Sequence, residues 1–311
     1  MGEGKVGSYR VVLAWPTVEA VEGSYDWSSY DATFTELARN GITPIVTVVG
    51  TPPAYADAIT DPPTDDAETF DAWADFLEAA AERYGPEGDL WGLLAETDPG
   101  VEPRPPAAWE IWNEPNTALF WTPAPDADAY SALLKRSAKV IHKSDPEARI
   151  MTGGMFATPQ SDGAIVSYDF IDQLYGHNGI DEVVDIVGIH PYSPDVGGVI
   201  DQLDGTREAI DDAGDDASIW ITEMGWSSDP KGPADQAKTP EQQANLLRKS
   251  FTKLSEQRDT WSLDGVIWFT WRDYEGPVGE CVWCEFAGLV DTDRDTKPAW
   301  EAFTEVTGGT P

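Results

Sequence analysis

Two short apolar runs in this chain end in a glutamate, and each invites a chemical reading. The first is Trp109-Glu110-Ile111-Trp112-Asn113-Glu114-Pro115-Asn116, and the second is Ile219-Trp220-Ile221-Thr222-Glu223-Met224-Gly225-Trp226. Glutamate is a poor strand residue, and a carboxylate set among Trp and Ile is costly unless something satisfies it. Basic residues are scarce around both runs, so structural ion pairing is the weaker account of Glu114 and Glu223. Paired carboxylates suit the cleavage of an acetal such as a glycosidic bond. One, protonated, expels the leaving oxygen; the other, ionised, attacks or activates water. Aromatic walls raise the acid's pKa, while hydrogen bonds hold the nucleophile's down.

Other residues fit around such a pair. His190-Pro191-Tyr192 closes a third run, and alternation gives His190 and Tyr192 one face. Each offers a polar tip to a carboxylate or a sugar hydroxyl. Arg10 sits in the first run; a buried guanidinium needs an anion, and Glu223 is the expected partner. Trp268 and Trp271 close the last run on opposite faces, one to floor a sugar and the other to pack in the core. Trp121, Trp226 and Trp283 lie in loops, where aromatic rings either stack on sugars or anchor the loop.

Positioning these groups takes a frame, and the order of elements supplies one. Strand patterns fall at 9–15, 43–49, 107–113, 149–154, 185–190, 219–224 and 265–271, rich in Val, Ile, Thr and Trp. Helical patterns fall at 28–40, 67–84, 127–142, 168–175, 199–213, 240–257 and 298–306. Thr239-Pro240-Glu241-Gln242 reads as a capped helix start, and Asn40-Gly41 as a helix end. Alternating strands and helices imply a parallel α/β sheet with helical crossovers. No glycine-rich nucleotide motif follows a strand, which turns the reading from a doubly wound sheet to a barrel. The longer loops, 50–66, 114–126, 192–198, 225–239 and 272–297, follow strand ends, where a barrel builds its site.

Composition excludes other classes. Acidic residues outnumber basic ones 56 to 20, for a net charge of −36, spread along the chain. Such a field repels nucleic acid and anionic membranes. No run approaches a membrane helix in length, and no apolar leader is visible at the N-terminus. The 311 residues suit one barrel domain, with no linker or internal repeat. Cys281 and Cys284 form one C-x-x-C; two thiols do not complete a zinc site, so the pair reads as a loop disulfide in a secreted protein or as free thiols otherwise.

The Asn113-Glu114-Pro115 tripeptide, with Thr222-Glu223 and Gly225-Trp226 beyond it, resembles clan A glycoside hydrolases. Within that clan the chain is most similar to family 39 and its bacterial relatives. The shared features are Arg10 through Trp15, Glu19, Trp112 through Asn116, His190-Pro191-Tyr192, Thr222-Glu223, and Gly288-Leu289 before Lys297-Pro298-Ala299. The resemblance implies a retaining hydrolase on a (β/α)8 TIM barrel. Glu114 is then the acid/base and Glu223 the nucleophile. Asn113 binds the sugar 2-hydroxyl, Tyr192 or His190 orients Glu223, and Trp15 and Trp226 join the sugar contacts. A carbohydrate substrate follows, with no cofactor; a secreted location is expected separately, although no signal peptide is visible in this chain. Strand alternation points Asn113 and Glu114 opposite ways, so their joint use requires a bulge or bend. The acid/base strand is fourth in the clan and third here, so the first β/α unit is expected to be missing. An open barrel exposes strand edges and is expected to need a partner or a cover. Transglycosylation and a non-catalytic carbohydrate-binding barrel are the alternative readings.

Overall fold

Thr43–Val49 reads TPIVTVV, a run of β-branched residues with no helical period, and it forms a strand buried on both faces. Strands also form within each of the other segments expected from sequence. The computed structural model describes residues 1–156, 163–229, 238–276, 281 and 284–310. Its residues fall into two compact units, Gly7–Ile189 with Glu208–Ser218, and Met1–Val6 with His190–Arg207 and Ile219–Pro311.

The first unit alternates strands and helices in the expected order. It holds β1 (Ser8–Ala14), α1 (Trp15–Val18), α2 (Ser28–Arg39), β2 (Thr43–Val49), α3 (Ala67–Tyr84), α4 (Asp89–Thr97), β3 (Ala108–Ile111), α5 (Ala127–Ser144), β4 (Ile150–Thr152), β5 (Met155–Phe156), α6 (Ser167–Tyr175) and most of β6 (Ile186–His190). Strands β1, β2, β3, β4 and β6 pair in that order, and β5 pairs with β6. The pairs β1–β2, β2–β3, β3–β4 and β4–β6 are parallel. The register sets Val12 beside Thr47 and Thr47 beside Glu110, so Arg10, Thr47 and Glu110 share one face of the sheet.

The side of β1 turned away from β2 is partly covered. Tyr30 of α2 donates its hydroxyl to Val12 O at 3.1 Å and accepts from Ala14 N at 3.0 Å. Val12 itself is 49% exposed, the kind of edge that open parallel sheets present.

The tryptophan surplus goes largely into the core. Trp15 stacks on Phe76 at 5.7 Å and on Tyr55 at 5.2 Å, while Trp73, Trp112, Trp121 and Tyr130 continue the line ring to ring. Each such ring removes a large apolar area from water, and the edge-to-face pairs add to that.

The second unit holds β7 (Ser218–Met224), α8 (Pro240–Glu256), β8 (Leu263–Trp268) and α9 (Pro298–Thr307); α7 (Val196–Asp212) has residues in both. β7 and β8 are parallel, with Trp220 beside Gly265. A Cβ on Gly265 would lie 2.4 Å from the Trp220 ring, so only glycine fits there. Helix α8 starts on the Thr239–Gln242 capping box read from sequence.

The differences from the sequence reading are local. Helix α4 is not among the helices expected from sequence; it is short, and Gly92 interrupts its run of helix formers. The first strand stops at Ala14, and Trp15 opens the one-turn α1 on Pro16. The last strand ends at Trp268, leaving Trp271 in the loop beyond. Trp283 lies outside the described residues.

Candidate active site

Glu114 is presented by a sharp bend at the end of β3. The strand stops at Ile111, and Trp112 and Glu114 take positive φ values of 72° and 44°. Left-handed backbone at non-glycine residues costs about 1–3 kcal/mol each and persists only where the surroundings enforce it. Here they do. Trp112 N donates to Val48 O at 2.8 Å and its Nε1 to Phe120 O at 2.7 Å. Glu114 N donates to Gly154 O at 3.2 Å. Gly153 lets this turn approach, since a Cβ there would sit 2.7 Å from Trp112 O. Asn116 clamps the next turn, donating to Phe156 O and Ile165 O at 2.7 Å each and accepting from Phe156 N at 3.1 Å. The expected departure from strand alternation is thus a bend made by left-handed residues. Glu114 is left 8% exposed.

A network that sequence reasoning missed lies beneath this bend. Glu110 is wholly buried. Its Oε2 accepts from Arg10 Nε at 2.6 Å and from Thr47 Oγ1, and its Oε1 accepts from Gly154 N at 2.8 Å. Arg10 Nη2 also donates to Asn113 Oδ1 at 2.9 Å. Arg10 thus pairs with Glu110, a partner that the sequence reading, which named Glu223, did not foresee. The register accounts for this pair: Arg10 and Glu110 face the same way, with only β2 between their strands. The signal was available, because a Glu in mid-strand among Trp and Ile needs a cation.

In the second unit, β7 ends in Thr222-Glu223-Met224. Tyr192 donates its hydroxyl to Glu223 Oε2 at 2.8 Å. His190 is wholly buried; its Nε2 lies 3.1 Å from Thr222 Oγ1 and 3.8 Å from Glu223 Oε1. Both residues read from His190-Pro191-Tyr192 thus reach Glu223, Tyr192 by a hydrogen bond. Phe269, which the sequence reading passed over, stands edge-on to Tyr192 with ring centres 6.4 Å apart.

The tryptophans expected at a sugar divide differently. Trp15 is wholly buried, donates to Glu19 at 2.5 Å and stacks in the core, which removes it from the sugar contacts. Trp268 donates to Ala287 O at 3.0 Å and packs on Phe251 and Trp226. Trp226 is buried and donates to Ser193 O at 2.7 Å; it anchors a loop, as Trp121 does from within the aromatic line. Trp271 is partly buried, with its ring edge-on to Trp300 of α9 at 5.2 Å. The ring of Phe269, in the loop after β8, meets that of Tyr192, and Trp271 lies further along the same loop, beyond the strand end at Trp268.

The loop after β8 carries two cross-links. Cys281 and Cys284 form a disulfide. Asp273 and Lys297 form a buried ion pair at 2.8 Å, with Gly288 N donating to Asp273 at 2.7 Å and Lys297 donating to Phe286 O at 3.0 Å. Burial pushes the Asp273 carboxyl up and the Lys297 ammonium down, and each is opposed by its partner. Removing one partner strands the other charge. Lys297→Met is expected to lower the unfolding free energy by about 3 kcal/mol in a urea titration. A loss below about 1 kcal/mol would show that water already satisfies Asp273.

The α/β frame carries one glutamate just after β3 and another near the end of β7. The glycosyl hydrolase catalytic core model matches residues 104–280, and the chain belongs to that family. Its fold is that of family 39 barrels. A family 39 glycoside hydrolase from Bacteroides cellulosilyticus WH2 is 23% identical, with a TM-score of 0.70 over 98% of this chain and 59% of that one. A family 39 β-xylosidase from Caulobacter crescentus is 21% identical, with a TM-score of 0.67 over 97% of this chain and 64% of that one. A glucosidase from Croceicoccus marinus is 15% identical, with a TM-score of 0.70 over 99% and 62% of the two chains. The chain thus spans about three fifths of the length of these structures. No curated protein matches its sequence.

Proposed function

We propose that the chain is a retaining glycoside hydrolase acting on β-linked sugars, with Glu223 as nucleophile and Glu114 as acid/base. The observation that carries this is the Tyr192 hydroxyl donating to Glu223 at 2.8 Å. A carboxylate that accepts a hydrogen bond from a phenol hydroxyl in a partly buried site is aimed by it. In the first step Glu223 attacks the anomeric carbon while Glu114 gives its proton to the departing oxygen. In the second, Glu114 takes a proton from water, and the hydroxide displaces Glu223 from the sugar. The reaction needs the two carboxyl groups about 5–5.5 Å apart, and it asks for no metal or cofactor.

The relatives described as a β-xylosidase and a glucosidase make aryl β-xylosides and β-glucosides the first substrates to try. Release of the aryl alcohol from either, lost in both Glu114→Ala and Glu223→Ala, supports the reading. Sugar binding without turnover would favour a carbohydrate-binding barrel instead. Tyr192→Phe removes only the hydroxyl. It is expected to lower kcat/KM by roughly tenfold to a hundredfold, the worth of a hydrogen bond to a charged group, and an unchanged value would remove the orienting role. The disulfide supports an oxidising destination, so the protein is proposed to be secreted. A fusion retained in a reducing cytosol with full disulfide content would contradict this.

A further inference from the structure

The loop after β8 is cross-linked on either side of an exposed ring that the reaction above does not use. We infer that this ring, Tyr274, is a platform for a second sugar, the one joined to the far side of the sugar held at Glu223. The chain then takes β-linked disaccharide or longer glycones in preference to single sugars. The inference rests on the glycosidase reading and adds a specificity-determining residue to it.

Tyr274 ends a line of rings that starts at the nucleophile. Tyr192, bonded to Glu223, meets Phe269 edge-on, and Phe269 meets Tyr274 with ring centres 6.4 Å apart and planes 32° apart. Phe269 is partly buried and Tyr274 is 40% exposed, so the line runs from the Tyr192–Glu223 pair out to solvent. A lone aromatic ring at a surface is ordinary. A ring continuous with the support of the nucleophile is different, because an extended substrate passes over it. The face of a tyrosine suits a sugar: its apolar body covers the C–H side of a pyranose, while the sugar hydroxyls stay in water.

The backbone beneath the ring is fixed from both sides. Tyr274 N donates to Glu285 O at 3.0 Å, and Glu285 lies in the one-turn helix Cys284–Phe286, which starts at the Cys281–Cys284 disulfide. Asp273, one residue earlier, accepts from Lys297 at 2.8 Å and from Gly288 N at 2.7 Å, and its own N donates to Val290 O at 2.9 Å. A ring held in place before the sugar arrives loses little freedom on binding. Which sugar it meets follows from the reaction. In a double displacement the leaving group departs from the anomeric carbon opposite the nucleophile. A surface continuous with Glu223 therefore meets the part of the substrate that stays bonded to Glu223, not the part that leaves.

The test uses p-nitrophenyl β-xyloside with β-xylobioside, and p-nitrophenyl β-glucoside with β-cellobioside. All four release the same phenol, so the ratio within a pair reads the second sugar alone. The parent is expected to favour the disaccharide of the pair it cleaves by roughly tenfold in kcat/KM. Tyr274→Ala is expected to lose most of that preference, chiefly through KM, with the monosaccharide rate within about twofold of the parent. Its unfolding midpoint is expected to be unaltered, since the side chain is exposed. Tyr274→Phe keeps the ring and is expected to keep the preference. A parent without the preference, a preference that survives Tyr274→Ala, or equal losses on both sugars would overturn the inference. So would a loss in Tyr274→Phe as large as in Tyr274→Ala, or a defect seen only when the leaving group is itself a sugar. A parent inactive on all four glycosides would instead remove the glycosidase reading, and this inference with it.

Discussion

Glu223→Ala is expected to reduce turnover of an activated aryl β-glycoside on the order of 10⁴-fold, because the covalent intermediate has no atom on which to form. The space left by the carboxylate gives the variant a diagnostic property. Azide added at high concentration is expected to restore release of the aryl alcohol and to yield the α-glycosyl azide, since a small anion then attacks from the side Glu223 occupied. Tyr192 and His190 remain to line that space, because neither is held by Glu223 alone. His190 keeps its contact with Thr222, and Tyr192 packs against Phe269. A variant that keeps a tenth of the parent activity, or azide rescue giving the β-azide, would assign nucleophilic attack to another group.

Glu114→Ala is expected to behave differently, and the difference identifies an acid/base. Its proton matters in proportion to how badly the leaving group needs one. On an alkyl or oligosaccharide leaving group the loss is expected to reach roughly 10³-fold. On a dinitrophenyl glycoside, whose leaving anion is stable, the first step is expected to survive and the second to become limiting, with a burst of phenolate and accumulated glycosyl-enzyme. Azide then restores turnover with retained configuration, as the β-azide. The turn that carries Glu114 suits this experiment: the bend has holds of its own at Trp112, Gly153 and Asn116. Losses of equal size on both leaving groups would show that Glu114 acts on folding or binding rather than on the proton.

The parts of this molecule legible in its sequence are those set by local physics. β-Branched runs became strands, Thr239 and Gln242 capped a helix, and Gly41 ended another with φ of +68°. The two glutamates stood out because they break strand propensity, and His190-Pro191-Tyr192 because alternation aligned its polar tips. What was not legible depended on register. Arg10 was known to need an anion, but only the alignment of β1, β2 and β3 shows that Glu110 is within reach. The tryptophans misled for a related reason. Trp15, at the end of the first strand, and Trp226, in a loop where it reads equally as an anchor, were named as sugar contacts, yet each has an acceptor for its indole N–H inside the protein. That choice is made by tertiary packing, to which residue type is blind. Strand β8 ends three residues before Trp271, so the strand alternation used to place that ring does not extend to it.

The central claim is that a sugar becomes bonded to Glu223 during the reaction. It is tested most directly by inactivating the protein with a 2-deoxy-2-fluoro β-glycosyl fluoride of the sugar it cleaves, then weighing the protein and mapping its peptides. The account predicts a mass increase of one fluoroglycosyl unit, carried by the peptide containing Thr222-Glu223-Met224 and absent in Glu223→Ala. Attachment at a different carboxylate, or steady turnover with inversion at the anomeric carbon and no adduct, would contradict it.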